Sequence, residues 1–332
     1  MRPSKKSMIT ALVGGVVLAL GVSTSAFSNN TDWPGKMNAV SGGIGSSSFA
    51  TVSPWASEMS SRLGINISPE STSGHSVNLR MIQAKQADFG ITTTDLAYEA
   101  WQGEEKWTGH KRHTDVRAVY VLDPMALQAY TLAGNSNIKT LQDLAGKRIN
   151  ISRAGSSPDV WVRRIFNDLG INPAKYVNLS PTDGNTGIAD GLIDGAVLTG
   201  AMPHPAISQL EASNDIRLLE WGKDLCEKIH AKYPAMGVLT IPANTYKGQT
   251  EPLYSVGGYQ MIVCHKDVPE SLIYEITKQT FAAKERLMGA NAMFKYLVPD
   301  HILHGTIPLH KGAARFYQEQ GITLTQEITP ID

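Results

Sequence analysis

Short apolar runs alternate along this chain with stretches in which apolar residues return every three or four positions. Met37–Val40 is a run of the first kind. After it, Trp55, Met59 and Leu63 recur four residues apart and place one face of a helix toward a core. Ser53-Pro54 offers that helix a cap and a first-turn proline, and Gly64 offers an end. Residues 65–67 then predict a second strand, and Val77, Met81 and Ala84 form the stripe of a second helix. Ala87–Ile91 reads as a third strand and Leu96–Trp101 as a third helix. Strand, loop and helix thus repeat three times, which implies a parallel sheet in an α/β fold.

The same grammar resumes after an interruption. Glu104–Asp115 is charged and reads as an exposed excursion. Val116–Leu122 is a strand broken at Asp123-Pro124, and Ala126–Leu132 continues extended, as a strand crossing into a second lobe would. Beyond it come a short helix at Leu141–Ala145, a strand at Arg148–Ser152, and a helix turning Trp161, Ile165 and Leu169 inward. A helix at Ile188–Leu192 leads to a strand at Ala196–Thr199. Pro234–Pro242 reads as irregular and hinge-like, Gly257–Cys264 as a return strand, and Leu272–Met288 as one long helix. The rest reads as a polar tail carrying His301, His304 and His310.

The loops after these strands share a chemistry. Ser41–Phe49, Ser71–Ser76, Thr92–Asp95 and Arg153–Pro158 are built from Gly, Ser and Thr with few bulky side chains. Parallel sheets bind ligands beyond the carboxyl ends of their strands, where these loops fall. Any one of them alone is equally a tight βα turn that needs glycine. Their recurrence favours a site.

Composition narrows the class. The 332 residues carry 30 acidic and 30 basic side chains, so general electrostatics supports neither a nucleic-acid nor a membrane-surface partner. Arg2, Lys5 and Lys6 precede an uncharged run from Met8 to Val22 and the small residues Thr24-Ser25-Ala26. This is the pattern of a secretory signal cleaved after Ala26, and the run is shorter than the roughly 20 residues a membrane span needs. The mature chain is therefore expected in the periplasm. Cys226 and Cys264, the two cysteines, would meet an oxidising environment there. The choice is between one disulfide and two buried unpaired thiols, the second being favoured because Cys226 sits in a helical pattern and Cys264 ends an apolar strand.

Enzyme motifs are thin. Gly43-Ile44-Gly45 has Ser48 where a dinucleotide fingerprint has its third glycine. Neither a Gly-x-Ser-x-Gly elbow nor a His-Glu-x-x-His helix occurs, and the three C-terminal histidines match no familiar metal spacing. The expectation is a binding protein with no catalytic residues, no metal and no cofactor.

The ordered motifs resemble those of the TAXI family of TRAP-transporter solute receptors. Ser41-Gly42-Gly43-Ile44-Gly45 is similar to its Gly-rich opening, and Ser71–Gly74 with Val77–Arg80 to its second turn and helix. Ala87-Asp88-Phe89-Gly90 with Asp95–Glu99 is the most recognisable stretch. Residues 141–147, Gly155-Ser156, Ile193–Ala196, Pro203-His204-Pro205, Asp215–Leu218 and Ile241–Tyr246 follow in the family's order. The resemblance implies a two-lobed, type II-like periplasmic-binding-protein fold with a hinged interlobe cleft. It implies a signal peptide over 1–26, lobe I over 27–125 and 250–332, and lobe II over 126–249. It also implies a monomer that delivers a small carboxylate, an organic acid or amino acid, to TRAP membrane permease subunits. A receptor that reports to a sensor kinase, or a periplasmic enzyme, are the alternatives.

Departures from the family fall where ligand should lie. Ser48-Phe49-Ala50 replaces an aromatic pair and proline, Thr93-Thr94 replaces Gln-Ser, and Gly155–Pro158 replaces Gly-Ser-Gly-Thr. A carboxylate in a closed cleft needs donors to replace lost water. Gly45, Ser46, Ser47, Thr93, Thr94, Ser156 and Ser157 are the candidates, with Ser73 and Gly155 in the adjoining turns. Arg153 would supply the full positive charge, its other reading being a solvated surface residue. Phe49 and His204 are candidate cleft walls, and equally a core residue and a loop residue.

Overall fold

In a computed structural model of the chain, residues 32–331 are described. The expected signal segment, 1–26, lies outside them. Three strand-loop-helix units open the fold: β1 (Lys36–Val40), α1 (Ser47–Leu63), β2 (Asn66–Glu70), α2 (His75–Gln83), β3 (Phe89–Thr93) and α3 (Thr94–Gln102). β1 pairs in parallel with both β2 and β3. The four-residue spacing in α1 does its work, since Trp55, Met59 and Leu63 are all buried. The Trp55 ring meets Phe89 edge-on at 5.5 Å, which seats α1 on β3.

A long strand, β4 (Val116–Leu132), then changes partners midway. A second run of units follows: β5 (Arg148–Asn150), α4 (Ser157–Asp168), β6 (Lys175–Val177), α5 (Pro181–Ala189), β7 (Gly195–Gly200) and α6 (Pro205–Glu211). β8 (Ile216–Leu219), α7 (Lys223–Lys232) and β9 (Gly237–Ile241) come next, and β10 (Leu253–His265) returns. The chain closes with α8 (Glu270–Ala282), α9 (Lys284–Ala290) and α10 (Lys311–Glu319).

The sheet order is β2-β1-β3-β10-β4-β7-β5-β6, with β8 beside β4 and β9 beside β10. Two strands tie its halves together. β4 pairs with β10 up to Ala126 and with β7 and β8 from there on. β10 pairs with β9 over Leu253–Gly257 and with β3 over Gln260–Cys264. Where they cross, a Cβ on Gly257 would collide with the Met125 carbonyl oxygen, so only glycine lets the strands approach. Each half therefore has its own parallel strands and helices, joined through two antiparallel crossing strands. This is a two-lobed α/β architecture.

Several elements differ from their sequence expectation. The long helix at Leu272–Met288 is two helices that meet at Ala283, whose angles (φ −91°, ψ 3°) leave the helical region. In place of the helix expected at Ile188–Leu192 stands Pro181–Ala189, which ends before Asp190 and whose first two turns, Pro-Thr-Asp-Gly-Asn-Thr-Gly, carry no apolar stripe to mark them. Pro234–Pro242 contains β9, which pairs with β10. The polar tail holds α10, with Phe316 and Tyr317 buried and Phe281 stacked on Phe316 at 5.2 Å. Cys226 and Cys264 are both free and buried. Among the described residues no helix is long and apolar enough to cross a membrane.

Candidate functional site

The carboxyl ends of the strands from the two halves face one another, and four helices of eight residues or more begin between them. α1 starts behind Ser46, whose side chain accepts the Phe49 N–H at 3.2 Å. α4 starts behind Ser156 in the same way, taking the Asp159 N–H at 3.4 Å. α2 starts at Gly74 without a side-chain cap, and α5 starts at Pro181. These helix starts surround a cavity of about 40 Å³. It is lined by Gly42, Gly43 and Ser46–Ser48 on one side and by Ser152, Arg153 and Ser156–Pro158 on the other. Ser73–His75, Pro181, Leu198, Thr199 and His204 complete the wall.

The wall contains no carboxylate and is rich in donors. Arg153 reaches across so closely that a Cβ on Gly43 would stand 2.8 Å from its Nε. The Ser47 hydroxyl is buried and has no partner. His204 Nδ1 accepts the Ala206 N–H at 3.1 Å, which leaves the ring proton on Nε2. Ser48 Oγ and His75 Nε2 are 2.7 Å apart, and His75 Nδ1 has no partner. Burial lowers the pKa of both histidines to about 4, so both are neutral near pH 7. Asp159 and Asp183 sit in the first turns of α4 and α5 but outside the wall. Asp159 accepts the Gly155 N–H at 2.9 Å, and Asp183 accepts the Ser180 hydroxyl at 2.6 Å. Helix N-termini, neutral hydroxyls and one guanidinium favour a small anion in the space they enclose.

The halves touch around this cavity. The Ser76 N–H and hydroxyl both donate to the Gly155 carbonyl, at 3.3 and 2.6 Å. Gly74 adopts φ 138° and lies so near the other half that a Cβ there would be 3.0 Å from Ser156 Cα. A volume of about 40 Å³ holds only a few water-sized groups, too little for a molecule the size of an amino acid with the halves in this arrangement.

Seven sequence candidates line the cavity together: Ser46, Ser47, Ser73, Arg153, Ser156, Ser157 and His204. The other five lie elsewhere. Gly45 is exposed at the rim, where a Cβ would stand 2.8 Å from Thr182 Oγ1. Phe49 is half-buried one turn into α1. Gly155 spends its carbonyl on Ser76 and its N–H on Asp159. Thr94 Oγ1 accepts the Tyr259 N–H at 3.0 Å, and its carbonyl accepts the Thr306 hydroxyl at 2.6 Å. The Thr93 hydroxyl is buried near enough to Asp95 to favour its ionised form, yet outside hydrogen-bonding geometry. Sequence reasoning passed over Ser48 and His75, which meet only because the starts of α1 and α2 face each other. Of the histidines in the expected tail, His301 and His304 meet each other, their rings 5.8 Å apart and both against Tyr259. His304 lies flat on Tyr259 at 4.0 Å and His301 Nδ1 is 3.0 Å from the Leu122 carbonyl, while His310 stands apart at the start of α10. Among the described residues no group of three His, Cys, Asp or Glu is placed to hold a metal.

Comparison with known proteins agrees with this architecture. The fold is similar to that of a protein from Bordetella bronchiseptica RB50, with a TM-score of 0.51 and 15% identity over 86% of this chain and 82% of that one. It is similar to a solved periplasmic transporter at a TM-score of 0.51 and 14% identity, over 86% and 92%. Residues 47–321 match the NMT1-like family.

Proposed function

The chain belongs to the NMT1-like family, and we propose that it is an extracytoplasmic receptor that closes two lobes around a small anionic solute. One observation carries this reading: four helix N-termini and Arg153 surround a cavity with no carboxylate in its wall. An anion there gains the ends of aligned backbone dipoles and charge-assisted hydrogen bonds, while a cation would face the same dipoles and the guanidinium with no carboxylate to offset them. The free Ser47 hydroxyl and the Nε2 proton of His204 supply further donors. A carboxylate is the acid group we favour, in keeping with the sequence's likeness to TAXI receptors. On that likeness the partner is a TRAP permease, and the receptor acts as a monomer in the periplasm after losing residues 1–26.

The Ser48–His75 pair invites an acyl-transfer reading, and the chemistry around it argues otherwise. His75 Nδ1 meets no carboxylate that would hold the ring and support a positive charge. Burial has lowered its pKa to about 4, which makes it a weak base at neutral pH. We therefore read the pair as a donor held in place for the solute.

Thermal melting against a panel of small carboxylates, sulfonates and phosphates, with neutral and cationic analogues beside them, tests the reading. At least one acid should raise the melting temperature in a concentration-dependent way, with its neutral analogue silent. A response confined to cations or neutral compounds would sink the proposal.

A further inference from the structure

One and two turns along α4 from Ser157, the lobes meet a second time through a different chemistry. The buried Trp161 donates its indole N–H to the buried carboxylate of Asp95, in the first turn of α3. Arg164 grips Glu99, near the end of α3, and Glu105 just beyond it, the latter at 2.9 Å. Its guanidinium lies over the Trp161 ring at 4.6 Å and over the Tyr233 ring at 5.5 Å. From the other side the Trp107 indole donates to Glu99 at 2.8 Å. Asp95, Glu99, Glu105 and Trp107 belong to the lobe of β1–β3; Trp161, Arg164 and Tyr233 belong to the lobe of β5–β7. None of these residues lines the cavity described above; Glu99, Glu105, Trp161, Arg164 and Tyr233 line a separate, open cleft of about 360 Å³.

We propose that Trp161 and Arg164 are closure-setting residues: they latch α4 to α3, draw the lobes together without touching the solute, and so govern how firmly it is held. Closing places Glu99 at 7% side-chain exposure, where burial disfavours its charge, and Arg164 with Trp107 offsets that cost. Opening costs the latch two charge-assisted hydrogen bonds to Arg164 and the indole bond to Asp95, in exchange for water. The balance depends on both partners. Removing Arg164 leaves Glu99 and Glu105 close together with no cation between them and the Trp107 indole as the remaining donor to Glu99, and parting the lobes is the way to hydrate them.

The effect on solute release rests on the receptor reading above; the effect on lobe closure does not. The test is therefore small-angle X-ray scattering on the solute-free protein without its first 26 residues. For a chain of this size a compact form has a radius of gyration near 19 Å. Trp161→Phe and Arg164→Met should each give a larger radius than wild type. Arg164→Met should shift the closed-to-open ratio by roughly 10- to 100-fold, the range of hydrogen bonds to charged groups. Arg164→Lys, which keeps charge without the fork, should recover part of the compaction. Circular dichroism identifies any variant that fails to fold, and Trp161→Phe keeps the aromatic packing, so the pair remains informative. Identical scattering from wild type and folded variants would overturn the latch. If the variants expand while no acid binds wild type, the latch stands and the anion reading falls. With a bound acid in hand, the variants should release it faster in proportion to their lost closed population.

Discussion

The two lobes touch in two places, and the contrast between those contacts shows how one closure can serve two ends. Around the cavity the groups are neutral hydroxyls, helix starts and Arg153, and some donors have no partner within the protein. At the latch, carboxylates meet donors: Asp95 faces the Trp161 indole, Glu99 and Glu105 face Arg164, and Trp107 supports Glu99 from its own lobe. The first contact has a donor, the Ser47 hydroxyl, left without an acceptor, whereas at the second each carboxylate has a donor, beside an open cleft of about 360 Å³. A free donor selects what enters, and paired carboxylates set how readily the lobes shut. Both hang on α4, which begins at the cavity with Ser157 and reaches the latch at Trp161. Binding and closure are thereby joined through one rigid element.

The hardest blow to this contrast is to give the cavity what only the latch possesses. Ser47→Asp would place a carboxylate at the start of α1, satisfying the helix from within and repelling an anion. Affinity for any acid found in the panel should drop by roughly 100-fold or more, since like charges held together cost several kcal/mol. Isothermal titration would read it, and an undiminished affinity would mean that the anion sits elsewhere. A gentler change is Arg153→Gln, which removes the single guanidinium but leaves the helix starts in place. A loss of about 10-fold is expected, with weaker dependence on salt than wild type shows. If the affinity and its salt dependence both stay as they were, Arg153 is a surface residue stacked on Gly43 and no more. Ser47→Ala sharpens the picture further: deleting one free donor should cost about 1 kcal/mol of binding and leave folding stability nearly unchanged. A stability loss with unaltered binding would make Ser47 a structural residue.

How much of this could be read beforehand differs between the two contacts. The cavity loops were legible because glycine, serine and threonine cluster after strands for a local reason, the turn and the helix start. Five of the twelve candidates, Ser46, Ser47, Ser73, Ser156 and Ser157, meet for that reason, and Arg153 and His204 join them. Thr93 and Thr94 carry the same residue types, but the Thr94 hydroxyl faces Tyr259 of β10 and that of Thr93 lies near Asp95 at the start of α3, an orientation that composition does not encode. His75 looked like one more loop residue, and its partner Ser48 comes 27 positions earlier. The latch was legible only in part. Trp161 was readable as buried from its spacing with Ile165 and Leu169, yet nothing in the sequence says that its indole nitrogen points at the other lobe. Arg164 and Glu99 are ordinary helix-surface residues until the lobes are placed together. The fold followed the same rule. Elements with a strong apolar period were readable, whereas the start of α5, poor in apolar residues, and the strand β9, short and Pro-flanked, were not.

The finest test of the contrast uses pH, because of the two contacts the latch holds buried carboxylates and the cavity wall holds none. Burial raises the pKa of Asp95 to about 6, against an ordinary value near 3.8. The folded protein therefore binds a proton at Asp95 more tightly than the unfolded chain does. Its ionised form costs stability at high pH, and that cost is relieved as pH falls from above 6 toward about 4. Between pH 7.5 and 5.5 the relief amounts to about 1 kcal/mol. Asp123, whose pKa burial raises to about 7, works in the same direction. His75 and His204, lowered to about 4, work in the opposite direction below their ordinary value. A comparison of slopes separates these contributions. Asp95→Asn keeps an acceptor for the Trp161 indole and cannot ionise, while the other three groups remain. Chemical denaturation across that range should show wild type gaining about 1 kcal/mol more than Asp95→Asn as the pH drops. Parallel curves would mean that Asp95 reaches water even with the lobes closed, and the latch would then be a wet contact that contributes little to holding them shut.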